Sequence, residues 1–168
     1  MPDVIAADGT IRNDNWVVVA RPAEGDSLDI PEGQPALIPA DLWLAGSEHF
    51  NGRADIGVWF DSHDEPELLD GKVNELPLIA VNFPRFVDGR GYSIGRLLRE
   101  RFGYTGELRA IGDVLLDQLQ FMKRCGFDSY VLRADKDITK AARCLNFFSE
   151  TYQAAVDNDV PLFRRRAS

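Results

Sequence analysis

Apolar positions along the chain fall into two kinds of pattern. Short, nearly continuous apolar runs occur at 36–38, 56–60, 78–81, 108–111 and 130–132. Runs of this kind suit strands buried on both faces. Between them, apolar residues recur at helical spacing. Ile94, Leu97, Leu98 and Phe102 fall at i, i+3, i+4 and i+8, and Leu115, Leu119 and Met122 mark a second face. A third, formed by Ile138, Ala141, Ala142, Leu145, Phe148 and Tyr152, predicts a helix of about four turns. A short helix is expected through Leu42, Trp43 and Leu44.

The residues between these segments act as punctuation. Asp64-Glu65-Pro66-Glu67 has capping-box spacing with proline in the first turn, and Gly71 marks a stop. Ser93 and Asp137 are expected N-caps, and Gly103 and Gly126 close helices.

Strand and helix thus alternate about five times with short connections, which predicts an α/β fold: a parallel sheet with flanking helices. A doubly wound three-layer sheet is the first choice and an incomplete β/α barrel the alternative. Periodicity does not separate them. Residues 1–35 read as an N-terminal extension, with a strand at 16–20, at the sheet edge or in a hairpin, and a loop rich in proline, glycine and acid. The α/β domain is expected at 36–157, and 158–168 as a C-terminal tail.

Composition narrows the function classes. Nineteen basic residues against 27 acidic ones give a net charge of -8 over 168 residues. Nucleic-acid binding would need a clustered basic face, and none is expected as a partner. The only early apolar run, 4–7, is too short for a signal peptide or a membrane span, so no membrane partner is expected and a cytoplasmic location is. Cys125 and Cys144, 19 residues apart, match no zinc or iron–sulfur spacing. No metal and no iron–sulfur cluster are expected, and Cys125 reads as a packed structural cysteine.

In parallel α/β folds, ligands bind at the carboxyl ends of strands. Four loops collect there on this reading: 61–64, 85–93, 112–113 and 133–137. The second carries Arg85 and Arg90 about a Gly-Arg-Gly centre, followed by Tyr92 and Ser93 at an expected helix start. Guanidinium groups, a hydroxyl and a helix N-terminus are what an anion site requires. Arg85, Arg90, Tyr92, Ser93 and, from the last loop, Arg133 are therefore candidate anion-binding residues. The alternative is a solvated loop whose arginines pair with nearby carboxylates. His63, Asp88 and Asp113 are candidate proton-transfer residues. The glycines at 89, 91 and 95 miss the dinucleotide spacing, so NADPH or flavin is not an expected cofactor. Trp16, Trp43 and Trp59 lie close to acidic and proline-rich loops; core packing is expected of Trp59 and, ahead of a partner surface, of Trp43.

The stretches Phe83-Pro84-Arg85-Phe86, Asp88-Gly89-Arg90-Gly91-Tyr92-Ser93, Leu98-Arg99-Glu100-Arg101-Phe102-Gly103-Tyr104 and Arg124-Cys125-Gly126-Phe127-Asp128 carry a resemblance. With 106–114 and 117–119 between them, the chain resembles a bacterial family of unknown function described as oxidoreductases of sulfite reduction. The resemblance runs over roughly 36–153 and is dense from 83 to 128. It implies a place in sulfur assimilation and cysteine biosynthesis, beside sulfite reductase. Sulfite reductase or its electron donor, a small anion and a second copy of the chain are the partners considered. The resemblance supplies no catalytic residue. Beside an accessory role stand two alternatives: a small α/β enzyme acting on a phosphorylated or carboxylated metabolite, and a nicotinamide- or flavin-linked oxidoreductase.

Overall fold

The computed structural model describes residues 3–23, 27–50 and 52–165. The last three residues of the expected tail lie outside them.

Three short strands come first: β1 (Asp3–Ala6), β2 (Ile11–Asn13) and β3 (Val17–Val18). Then β4 (Ala36–Pro39), α1 (Ala40–Ala45), α2 (Ser47–Phe50), β5 (Ile56–Phe60), β6 (Leu78–Phe83) and α3 (Arg90–Glu100) follow. The chain ends with β7 (Glu107–Gly112), α4 (Leu119–Arg124), β8 (Ser129–Tyr130), α5 (Ala141–Leu145) and α6 (Leu162–Arg165). Single 3₁₀ turns at Pro66–Leu69, Val73–Glu75, Leu116–Gln118 and Ile138–Lys140 fill in between.

The sheet has eight strands in the order β2-β1-β8-β7-β6-β5-β4-β3. From β4 to β8 each strand lies parallel to its predecessor in the chain. β1 runs antiparallel to both β8 and β2. The fold is therefore α/β, with a mixed sheet in place of a wholly parallel one. Its consecutive order lacks the reversal point that a doubly wound arrangement requires.

Chain connectivity explains why the sheet curls. The two edge strands, β2 and β3, are joined by Asp14, Asn15 and Trp16 alone. Four Cα steps hold Asn13 and Val17 within about 15 Å. Eight strands laid flat at about 4.8 Å spacing would set the edges about 34 Å apart. The sheet must roll up to satisfy its own connection, giving an incomplete barrel.

The two faces of the rolled sheet differ. On the outer face, Ile38, Val58, Phe60, Ile79, Val81, Leu108, Ala110 and Tyr130 pack with helix residues such as Trp43, Ile94, Leu98, Leu119 and Met122. Among the described residues, every buried apolar side chain from a helix or 3₁₀ turn except Pro66 joins this cluster. The inner face carries Leu37, Trp59, Leu78, Ala80 and Ile111, with Trp16 and Val131 packed against them and no helix. Gly95 of α3 lets the Phe127 ring approach, since a Cβ there would stand 2.5 Å from it.

Three local expectations are corrected. Ser93 is not the N-cap: α3 begins at Arg90 behind Gly89, and the Asp88 carboxylate accepts the Arg90 N–H at 3.2 Å. The 64–71 segment makes only a 3₁₀ turn, because Asp64 accepts the N–H of Asp61 at 2.8 Å instead of capping a helix. The four-turn helix after Asp137 stops at Leu145. Asp137 does cap its first turn, at 3.0 Å from Thr139 N. Non-helical Asn146 ends it, and Phe148 and Tyr152 remain 62% exposed.

Candidate functional site

The loops that follow β5, β6, β7 and β8 meet at the carboxyl end of the sheet and are bonded to one another. Arg90 donates to Ser62 Oγ at 2.9 Å, joining the second loop to the first. Asn82, near the end of β6, donates to Asp61 at 3.1 Å. Asp113 accepts the Phe86 N–H through one oxygen and an Arg133 N–H through the other, each at 2.8 Å. Asp113 thus ties the 85–93 loop to the loop after β8.

Gly112 makes this junction possible. Its φ is +94°, and a Cβ would lie 2.4 Å from Asn82 Oδ1 and 2.5 Å from the Phe83 carbonyl. The left-handed turn frees the next N–H, and Asp113 N donates to Phe83 O at 2.7 Å.

The candidate anion-binding residues have different surroundings. Arg90 is held by Asp88, with Nε at 2.9 Å and the terminal nitrogen at 2.6 Å. That fork, with a further hydrogen bond from Ser62, keeps the Asp88 carboxyl far below the ordinary carboxylate range. Asp88 is ionised at neutral pH and serves as a charge partner. Arg133 pairs with Asp135 at 2.6 Å and Asp113 at 2.8 Å, which raises its pKa further and lowers that of Asp135. Tyr92 turns away to pack edge-on against Phe83 and Phe121, with ring centroids at 5.1 and 4.9 Å, and burial raises its phenol pKa. Ser93 is exposed on the first turn of α3. Arg85 is also exposed; its carbonyl accepts the Asp88 N–H at 2.9 Å, but its guanidinium has no hydrogen bond or ion pair with any of the described residues.

His63 stands 3.7 Å from Asp61 and 3.8 Å from Asp64 with a largely exposed ring. Asp64 is shared with Arg21 at 3.1 Å. Among the described residues, no group of three or more His, Cys, Asp or Glu side chains is arranged to hold a metal ion. Burial pushes the Cys125 thiol up, as suits a packed cysteine. No helix among the described residues is long and apolar enough to cross a membrane.

Sequence reasoning overlooked the barrel interior. Arg109 is 2% exposed between outward-facing Leu108 and Ala110, and therefore points inward. It donates to Asp14, 5% exposed, at 2.7 Å and to Glu107 at 2.8 Å. Arg12 adds a bond to Glu107 at 2.6 Å. Burial alone would raise the Glu107 carboxyl, but hydrogen bonds from Ser129 and Arg109 outweigh it and hold the group below its ordinary value. A lone arginine inside an apolar strand was the available signal, since such a charge must find a carboxylate. Beside Asp14 a cleft of about 490 Å³ opens between the 14–18 segment and the carboxyl ends of β6 and β7.

Comparison with curated proteins and with solved structures finds no match. A family model matches residues 57–163, which include β5 but for Ile56, all of β6 to β8 and every loop of the carboxyl-end network. The chain belongs to that family, described as a bacterial protein of unknown function (DUF934).

Proposed function

We propose that the protein is an accessory factor of sulfite reduction and takes a small oxyanion, sulfite or sulfate, at its carboxyl-end loops. The observation that carries the oxyanion reading is Arg85. Its loop is anchored by Asp113 and crossed by the Arg90 bond to Ser62, yet its own guanidinium has no partner among the described residues. An anchored loop with an unpaired guanidinium offers a bidentate anion fork at little ordering cost. Arg90 and Ser93 complete the grip. Arg90 contributes from its exposed side while it stays forked on Asp88. Arg133, paired with Asp113 and Asp135, steadies the loop beside them. The link to sulfite reduction rests on the family resemblance and includes sulfite reductase or its electron donor as partner.

Thermal melting of the purified chain with sulfite, sulfate, phosphate and chloride at matched ionic strength tests the oxyanion reading. Sulfite or sulfate should raise the melting temperature in a saturable manner, and Arg90→Ala should shrink the rise. Equal effects of all salts, or a rise unchanged by Arg90→Ala, would count against it. Affinity capture from cells grown on sulfate as sole sulfur source tests the partner reading. Failure to recover any enzyme of sulfite reduction would remove it.

A further inference from the structure

The inner face of the barrel holds a site of a different chemistry from the arginine loops, and it does not depend on the oxyanion reading. The cleft of about 490 Å³ lies within the range of ligand pockets, roughly 300–1,000 Å³. It lies at the carboxyl ends of parallel strands, where barrels of this type bind ligands. Its apolar walls include Trp16, Leu37, Ile111 and Val131. Leu37 and Ile111 belong to the buried inner cluster, while Trp16 and Val131 are half-buried and line its mouth.

Of the polar side chains that line it, Asn15 is exposed to solvent, while Asp14 is buried and Asn82 half-buried. Asp14 uses Oδ1 for both of its bonds, to Arg109 at 2.7 Å and to Trp16 N at 3.2 Å. Asn82 commits its NH₂ to Asp61 at 3.1 Å, and its carbonyl oxygen lies against Gly112, which also lines the cleft. Among the described residues Asp14 Oδ2 and Asn82 Oδ1 accept no hydrogen bond. Both are acceptors and neither is sealed from solvent, so a ligand seated in the cleft meets them best with a donor. Arg109 already compensates the Asp14 charge, so that donor need not be cationic. An anion would face the carboxylates of Asp14 and Asp61.

We propose that this cleft binds an uncharged planar heteroaromatic ring with an N–H edge, its face on Trp16 and its edge toward Asp14 and Asn82. Stacking on an indole and burial against aliphatic walls supply the affinity, and the two acceptors supply the choice of edge.

Heteronuclear NMR titration of the full chain tests this with three probes: indole, its donor-less isostere indene, and benzoate. Indole should shift the Trp16 ring N–H and the Asn82 amide in a saturable manner. Indene should bind about tenfold more weakly, the loss expected when the one N–H of indole is missing and a single acceptor stays unpaired. Benzoate should leave these signals unmoved. Val131→Phe, which fills the cleft from a half-exposed position, should abolish the indole shifts with the melting temperature retained. Asn82→Ala should weaken indole and leave indene unchanged. Indene as tight as indole, benzoate tighter than either, indole shifts surviving Val131→Phe, or no saturable shift would each overturn the proposal. Sulfate should not displace indole, so failure here and failure of the oxyanion reading are distinguishable.

Discussion

Arg99 and Arg85 lie at opposite ends of the same sheet, and their surroundings differ completely. Arg99, in the last turn of α3, reaches the amino end. Nε donates to the Gly126 carbonyl at 2.9 Å, and one terminal nitrogen donates to the carbonyls of Tyr104 at 2.6 Å and Gly106 at 2.9 Å. The other nitrogen pairs with Asp128. One side chain thereby locks the loops leading into β7 and β8. Arg85 sits at the carboxyl end on an anchored loop, and its guanidinium holds nothing among the described residues. In barrels the amino end serves stability and the carboxyl end chemistry. The unequal use of donors follows that division.

The largest effect should come from the interior. Asp14→Ala leaves Arg109, 2% exposed, with Glu107 as its sole carboxylate and loosens the segment that closes the sheet. Removing one partner of a buried pair costs about 3–5 kcal/mol. Urea unfolding should show that loss. A change below about 1 kcal/mol would mean the pair is wetter than its burial indicates.

Arg99→Ala should follow, at about 2–3 kcal/mol, because three loop carbonyls lose their donor in a half-buried setting. Arg99→Lys should rescue it poorly, since an ammonium cannot reproduce the planar fork. Neither variant should alter an oxyanion-induced melting shift.

Glu107 gives a smaller, pH-dependent term. Its folded pKa lies below the ordinary value of 4.5. A carboxylate so lowered contributes its full stability above that value and loses it as pH falls through the folded pKa. Urea midpoints should therefore decline below about pH 4.5, and Glu107→Gln should flatten the decline while lowering the plateau. An unchanged acid limb in Glu107→Gln would assign the decline to other carboxylates.

The strands at 56–60 and 78–83 were legible because burial on both faces leaves a continuous apolar run. The roll of the sheet was not, because its cause is connectivity: three mostly polar residues, Asp14 to Trp16, span the two edges. The last helix misled because spacing alone does not provide a surface. Phe148 and Tyr152 keep helical intervals but have no sheet face to cover. At the site, the meeting of the four loops could be read from the rule that places ligands at strand ends. Which arginine stays unpaired could not, since Asp88, Asp113 and Asp135 are only three among many carboxylates until folding selects their partners. Asp14 and Arg109, 95 residues apart in the chain, show the same limit.

Arg85→Ala separates the two ends most sharply because its structural effect should be the smallest. An exposed side chain without partners contributes within about 0.5 kcal/mol of nothing to stability. The urea midpoint should match that of the unaltered chain. The sulfate-induced melting shift should nevertheless fall steeply, since a charged fork in contact with an oxyanion is worth several times a neutral hydrogen bond. Arg85→Lys should restore part of it, keeping the charge and losing the planar geometry. The opposite outcome, a destabilised protein with its sulfate response intact, would make Arg85 a structural residue like Arg99 and erase the contrast between the two ends.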